Sequence, residues 1–155
     1  MIRLLSTLPT ALVALGLAAC GGASPAEGEG DPGSAAAAAE GEGYGDRATS
    51  SRGTFVAEVT SAAPIPLNEP FAVRLALVDP ESGERFEDYD EVTIDARMPA
   101  HQHGMLRDVE LEPSADGALV AEGLLFHMVG HWEIHVDVRR GARVERAQLD
   151  VELEF

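Results

Sequence analysis

Short runs in which apolar and polar residues alternate with a period of two, recurring from about residue 55 to the C-terminal end, constrain this chain more than any other feature. Phe55, Ala57 and Val59 alternate with Val56, Glu58 and Thr60. Phe71, Val73, Leu75 and Leu77 alternate with Ala72, Arg74, Ala76 and Val78, and Val92, Ile94 and Ala96 with Thr93, Asp95 and Arg97. Successive side chains of a strand point to opposite faces, so each run reads as a half-buried strand. Residues 106–111, 118–126, 131–139 and 144–153 continue the series, with turn chemistry such as Asp79-Pro80, Asp116-Gly117 and Arg140-Gly141 between them. No segment carries a helical period. About seven short strands at this spacing predict an all-β fold, an immunoglobulin-like antiparallel β-sandwich over residues 53–155. That stretch suits one domain, and the chain's single cysteine leaves no internal disulfide, so an apolar core must hold it together.

The first 52 residues have a different character. Arg3 and an apolar run from Leu4 to Leu17, too short for a comfortable membrane span, read as a signal peptide over residues 1–19. Leu17-Ala18-Ala19-Cys20 then places small residues directly before the only cysteine, which resembles a bacterial lipobox. Cleavage there would make Cys20 the lipid-bearing N-terminus, and a lone exported thiol is otherwise hard to explain. Gly21 and Gly22 rather than an aspartate after Cys20 lean toward the outer membrane in a Gram-negative envelope. Residues 20–52, rich in Gly, Ala, Ser, Pro and Glu, carry little that could be buried and are expected to form a flexible tether. The expected location is therefore the cell envelope, lipid-anchored and facing the periplasm. The net charge of -16 argues against nucleic acid or anionic lipid as a partner and favours solubility, attraction of cations and a monomer.

Chemistry concentrates in two segments, Met98-Pro99-Ala100-His101-Gln102-His103-Gly104-Met105 and Phe126-His127-Met128-Val129-Gly130-His131-Trp132, which hold four of the five histidines and three of the four methionines. Imidazole and thioether together suit a soft or borderline metal, copper first; thioethers favour Cu(I), and a mixed set also tolerates Cu(II). In an antiparallel sandwich the third and fifth connections emerge at the same end. The first segment is the third connection and the second is the fifth, so both are expected at one pole. In an extended segment His101, His103 and Met105 point the same way. Met98 continues the inward parity of its strand, and Leu124, Phe126 and Met128 share a core parity, so Met98 and Met128 fit a core role or ligation equally. His127 faces the other way and is the better ligand. Trp132, Ile134, Val136 and Val138 form a buried stripe, which leaves His131, Glu133, His135 and Asp137 on the opposite face. His135 lies about 13 Å along the strand from His131, too far to share an ion, and is expected to be exposed. The expected site is His101, His103, Met105 and His127, with Met98 and Met128 as additions.

These residues also carry a family resemblance. Met98-Pro99, His101-Gln102-His103-Gly104-Met105, Gly123-Leu124-Leu125-Phe126-His127-Met128 and Gly130-His131-Trp132-Glu133-Ile134 resemble the YtkA-like domain family over nearly all of Val56 to Val151. That family is similar in general appearance to FixH-type proteins of oxidase assembly and to small exported copper carriers of the CopC and PCuAC types. The resemblance implies an exported Ig-like domain, a carrier or chaperone in copper handling or oxidase assembly, and a copper-accepting protein partner. The chain departs from the strongest copper carriers in lacking dense methionine runs and from the CopC type in lacking an amino-terminal histidine.

An enzyme is not expected. His101-Gln102-His103 followed by Glu110 touches the cupin pattern, but the second cupin motif is missing, and there is no Ser/His/Asp arrangement or glycine-rich phosphate loop. The competing reading is a metal-free interaction module on a lipid tether, in which the same residues only fix the sandwich.

Overall fold

The computed structural model describes residues 42–154. The strands are β1 (Gly45–Thr49), β2 (Val56–Thr60), β3 (Phe71–Val78), β4 (Glu91–Met98), β5 (His103–Gly104), β6 (Glu110–Pro113), β7 (Leu119–Leu124), β8 (Gly130–Arg140) and β9 (Arg143–Leu153). They form two antiparallel sheets, in the order β1-β2-β3-β7-β6 and β5-β4-β8-β9. Without the two edge additions β1 and β5, the orders are those of the A-B-E-D and C-F-G sheets of a seven-stranded immunoglobulin sandwich. The expected fold class is the fold observed.

Alternation builds the core as the sequence predicts. Ala57 and Val59, Val73, Leu75 and Leu77, and Ala121 and Leu124 line one sheet, against Ile94, Ala96 and Met98, then Trp132, Ile134, Val136 and Val138, then Ala147, Leu149 and Val151 on the other. All are buried, Trp132 completely. The parity of β7 shifts near its end: the β3–β7 register slips between Phe71 and Ala72, opposite Gly123, whose φ of 95° favours glycine. That slip turns both Leu124 and Phe126 into the core and leaves residues 125–129 as a short connection.

Two sequence expectations need correction. The flexible tether does not extend to residue 52. Residues 45–49 pair residue for residue with β2, from Gly45 opposite Thr60 to Thr49 opposite Val56. This edge strand is held by its backbone ladder and by Ala48 and Tyr44 packing on the core, which is why its polar sequence hid it. The strand expected at 106–111 forms instead at 110–113, because the chain after β5 first closes back on β4 through the Met105 N–H to Ala96 carbonyl bond. The signal peptide, Cys20 and the first part of the expected tether lie outside the described residues.

The connections sort to two poles. Residues 61–70, 99–109 and 125–129 share one: Leu67 bridges Phe126, and the Asn68 N–H donates to the Phe126 carbonyl. Residues 79–90, 114–118 and 141–142 share the other, where the Gly141 N–H donates to Asp90 and Arg140 pairs with Asp88.

Candidate metal centre

The first pole brings the two histidine segments together. β4 ends at Met98, and Pro99–His101 form a 3₁₀ turn, started by the fixed φ of proline and closed by Gln102 in the left-handed region at φ 55°. The chain then doubles back as β5, with His103 opposite Met98 and Gly104 opposite Arg97. The segment is therefore a tight turn and not the extended run that the spacing of His101, His103 and Met105 suggests.

Within this turn the expected residues take different positions. His103 is half-buried, and its ring stacks on that of His127, with centroids 4.9 Å apart and planes 30° apart. Both rings stand edge-on or tilted to the indole of Trp132, at 6.0 Å for His103 and 5.4 Å for His127. His101 is exposed, its ring 5.8 Å from that of His103, so it sits at the rim. The Met105 sulfur reaches the same corner, where it accepts the Leu125 N–H at 3.3 Å. Met98 is 3% exposed and part of the core; a β-carbon on Gly130 would lie 3.0 Å from its methyl, so the bare backbone of Gly130 makes room for it. Met128 is half-buried against the core, and its carbonyl accepts the Trp132 Nε1–H at 2.9 Å.

Trp132 fixes this corner. Phe126 stacks on the indole at 4.7 Å with planes 5° apart, and Phe71 meets Phe126 edge-on at 5.1 Å. Three aromatic rings thus form a rigid floor, and the bond from Trp132 to Met128 locks the connection that carries His127. On this floor one polar atom stands out: the Nδ1 of His127 is buried and has no hydrogen-bond partner. Such atoms are rare in folded proteins, and each calls for a partner.

Among the described residues no group of three His, Cys, Asp or Glu side chains could hold a metal ion. The third histidine of the expected set therefore does not complete a nitrogen cage with the other two. What the corner offers is two imidazoles, a nearby thioether and an apolar wall, a donor set that fits a soft ion of low coordination number and does not fit a hard cation seeking oxygen.

His131 and His135 belong to the outer face of β8. His131 Nε2 lies 2.9 Å from Asp150. His135, expected to be exposed, is 6% exposed, because Arg146 donates to its Nδ1 at 2.9 Å and its Nε2 faces Glu133 at 3.0 Å. Arg146 is held in turn by both oxygens of Asp137, each at 2.6 Å, and these hydrogen bonds keep its guanidinium charged more firmly than usual. Alternation correctly placed His135 on the outer face but could not show that charged neighbours would cover it. Compared with known proteins, the chain matches no protein-family model, no curated protein and no solved structure at a significant level.

Proposed function

We propose that the pole holding His103 and His127 binds one copper ion, and that the protein is an exported carrier or chaperone of copper rather than an enzyme. The observation that carries this reading is the meeting of two imidazoles from separate connections, 4.9 Å apart, around a buried ring nitrogen without a partner. Evolved cores rarely leave such a nitrogen bare unless something else satisfies it. His103, His127 and Met105 are the ligands in this proposal, with His101 at the rim as an exchange ligand. Met98 and Met128 lie close by and would join only by leaving their core contacts. The donors favour Cu(I) over Cu(II), and a rim histidine over a half-buried pair suits a protein that accepts its ion and passes it to a copper-accepting partner.

The lipobox-like Leu17-Ala18-Ala19-Cys20 supports export and a lipid anchor on Cys20 in the cell envelope, facing the periplasm. The resemblance to YtkA-like domains agrees with this placement. The packing of Met98 and Met128 on the core favours the second reading, a metal-free interaction module. Purified protein loaded with copper and dialysed separates the two: retention of one copper per chain supports the carrier, and metal-free protein supports the module.

A further inference from the structure

The two imidazoles at the pole are not equivalent, and their surroundings determine which nitrogen of each is free. His103 Nδ1 lies 3.3 Å from the carbonyl oxygen of Gly104. A carbonyl only accepts, so Nδ1 carries the proton and Nε2 of the neutral ring keeps its lone pair. In His127 it is Nδ1 that is buried without a partner. A lone pair there, with the proton on Nε2, becomes satisfied only when a cation or a donor meets it. The Met105 sulfur spends one lone pair on the Leu125 N–H and retains the other.

We infer that the ion at this pole is held through Nδ1 of His127 and Nε2 of His103, with the Met105 sulfur as third donor, and that this uncharged ligand set selects a singly charged soft cation over divalent ones. The inference rests on the copper reading and specifies how that site works. Among the described residues no third His, Cys, Asp or Glu side chain joins the two imidazoles, and the Met105 sulfur, bonded to the Leu125 N–H two residues from His127, is the soft donor placed beside this connection. Trp132 and Phe126, both fully buried, form the adjoining wall. The cost of moving an ion out of water rises with the square of its charge, so a divalent ion without a carboxylate in this setting is heavily penalised.

The test uses the full-length chain in detergent, with ¹⁵N-labelled histidine and Ag(I) as a redox-inert stand-in for Cu(I). Long-range proton–nitrogen spectra are expected to show His127 Nδ1 and His103 Nε2 shifting and coupling to silver, while the other nitrogen of each ring keeps its proton. Zn(II) competes for the site at least about 100-fold more weakly than Ag(I). Coupling at His127 Nε2, or Zn(II) binding within about tenfold of Ag(I), overturns this inference and leaves the copper reading standing. No response of either histidine to Ag(I) or Cu(I) overturns both. His103→Ala and His127→Ala should each remove the coupling at the remaining ring while the backbone spectrum of the β-sandwich is preserved, which excludes unfolding as the cause.

Discussion

His103 and His127 stack at 4.9 Å although they belong to different connections and face each other only because β4–β6 and β7–β8 turn at the same pole. Neither ring depends on the other for its place. His103 is set by the β4–β5 hairpin and His127 by Phe126 and the tryptophan bond to Met128. The pair is therefore positioned by two separate parts of the fold.

Trp132 is the structural centre of that pole. Trp132→Ala removes a fully buried ring, the stacking on Phe126 and the bond to Met128, and should destabilise the domain by roughly 3–5 kcal/mol. Chemical unfolding followed by circular dichroism measures this; a loss within error would mean that the ring is not part of the core.

The loop between β1 and β2 is fastened by one carboxylate. Glu145 accepts from Ser50 Oγ at 2.6 Å, Thr54 Oγ at 2.7 Å and the Arg52 amide at 2.9 Å. Burial alone would raise its pKa, but these bonds outweigh burial and hold it below the usual 4.5. Its folded value is depressed, so its contribution is complete above the unfolded value and is lost as pH falls through the lower folded one. Glu145→Ala should cost about 1 kcal/mol at neutral pH. The difference from the wild type should close in acid, as read from melting temperatures between pH 7 and pH 3.

His135→Ala should leave copper binding unchanged and still lower stability by roughly 1–3 kcal/mol, because it empties a buried position and removes a hydrogen-bond partner from Glu133 and from Nη1 of Arg146. Parallel unfolding and copper titrations of this variant check both halves.

The contrast between His135 and His103 shows how far the sequence could be read. Period-two alternation located six of the seven expected strands and the stripe of Trp132, Ile134, Val136 and Val138, because side-chain direction in a strand follows from position alone. The shared pole followed from counting reversals. β1 escaped notice because Gly45-Asp46-Arg47-Ala48-Thr49 has no apolar face and is held mainly through its backbone. The cover over His135 and the packing around His127 depend on residues from other elements, Arg146 and His103, which no local pattern encodes. The turn at Pro99–His101 displaced His101 to the rim because proline and a left-handed Gln102 override the extended spacing.

Anchoring is a separate matter. Cys20→Ser should turn a membrane-fraction protein into an unprocessed or soluble one, tracked by fractionation and detergent partitioning; unchanged partitioning would remove the lipid anchor.

The central claim is that His103 and His127 together hold copper. Competition with a chromophoric chelator at neutral pH, comparing the wild type with His103→Ala/His127→Ala, tests it most directly. The single tryptophan, Trp132, adjoins both rings and gives a fluorescence readout of the same titration. The account predicts one tightly bound copper per wild-type chain and no tight binding in the double variant, with the fold intact. Equal affinity in the two proteins would contradict it.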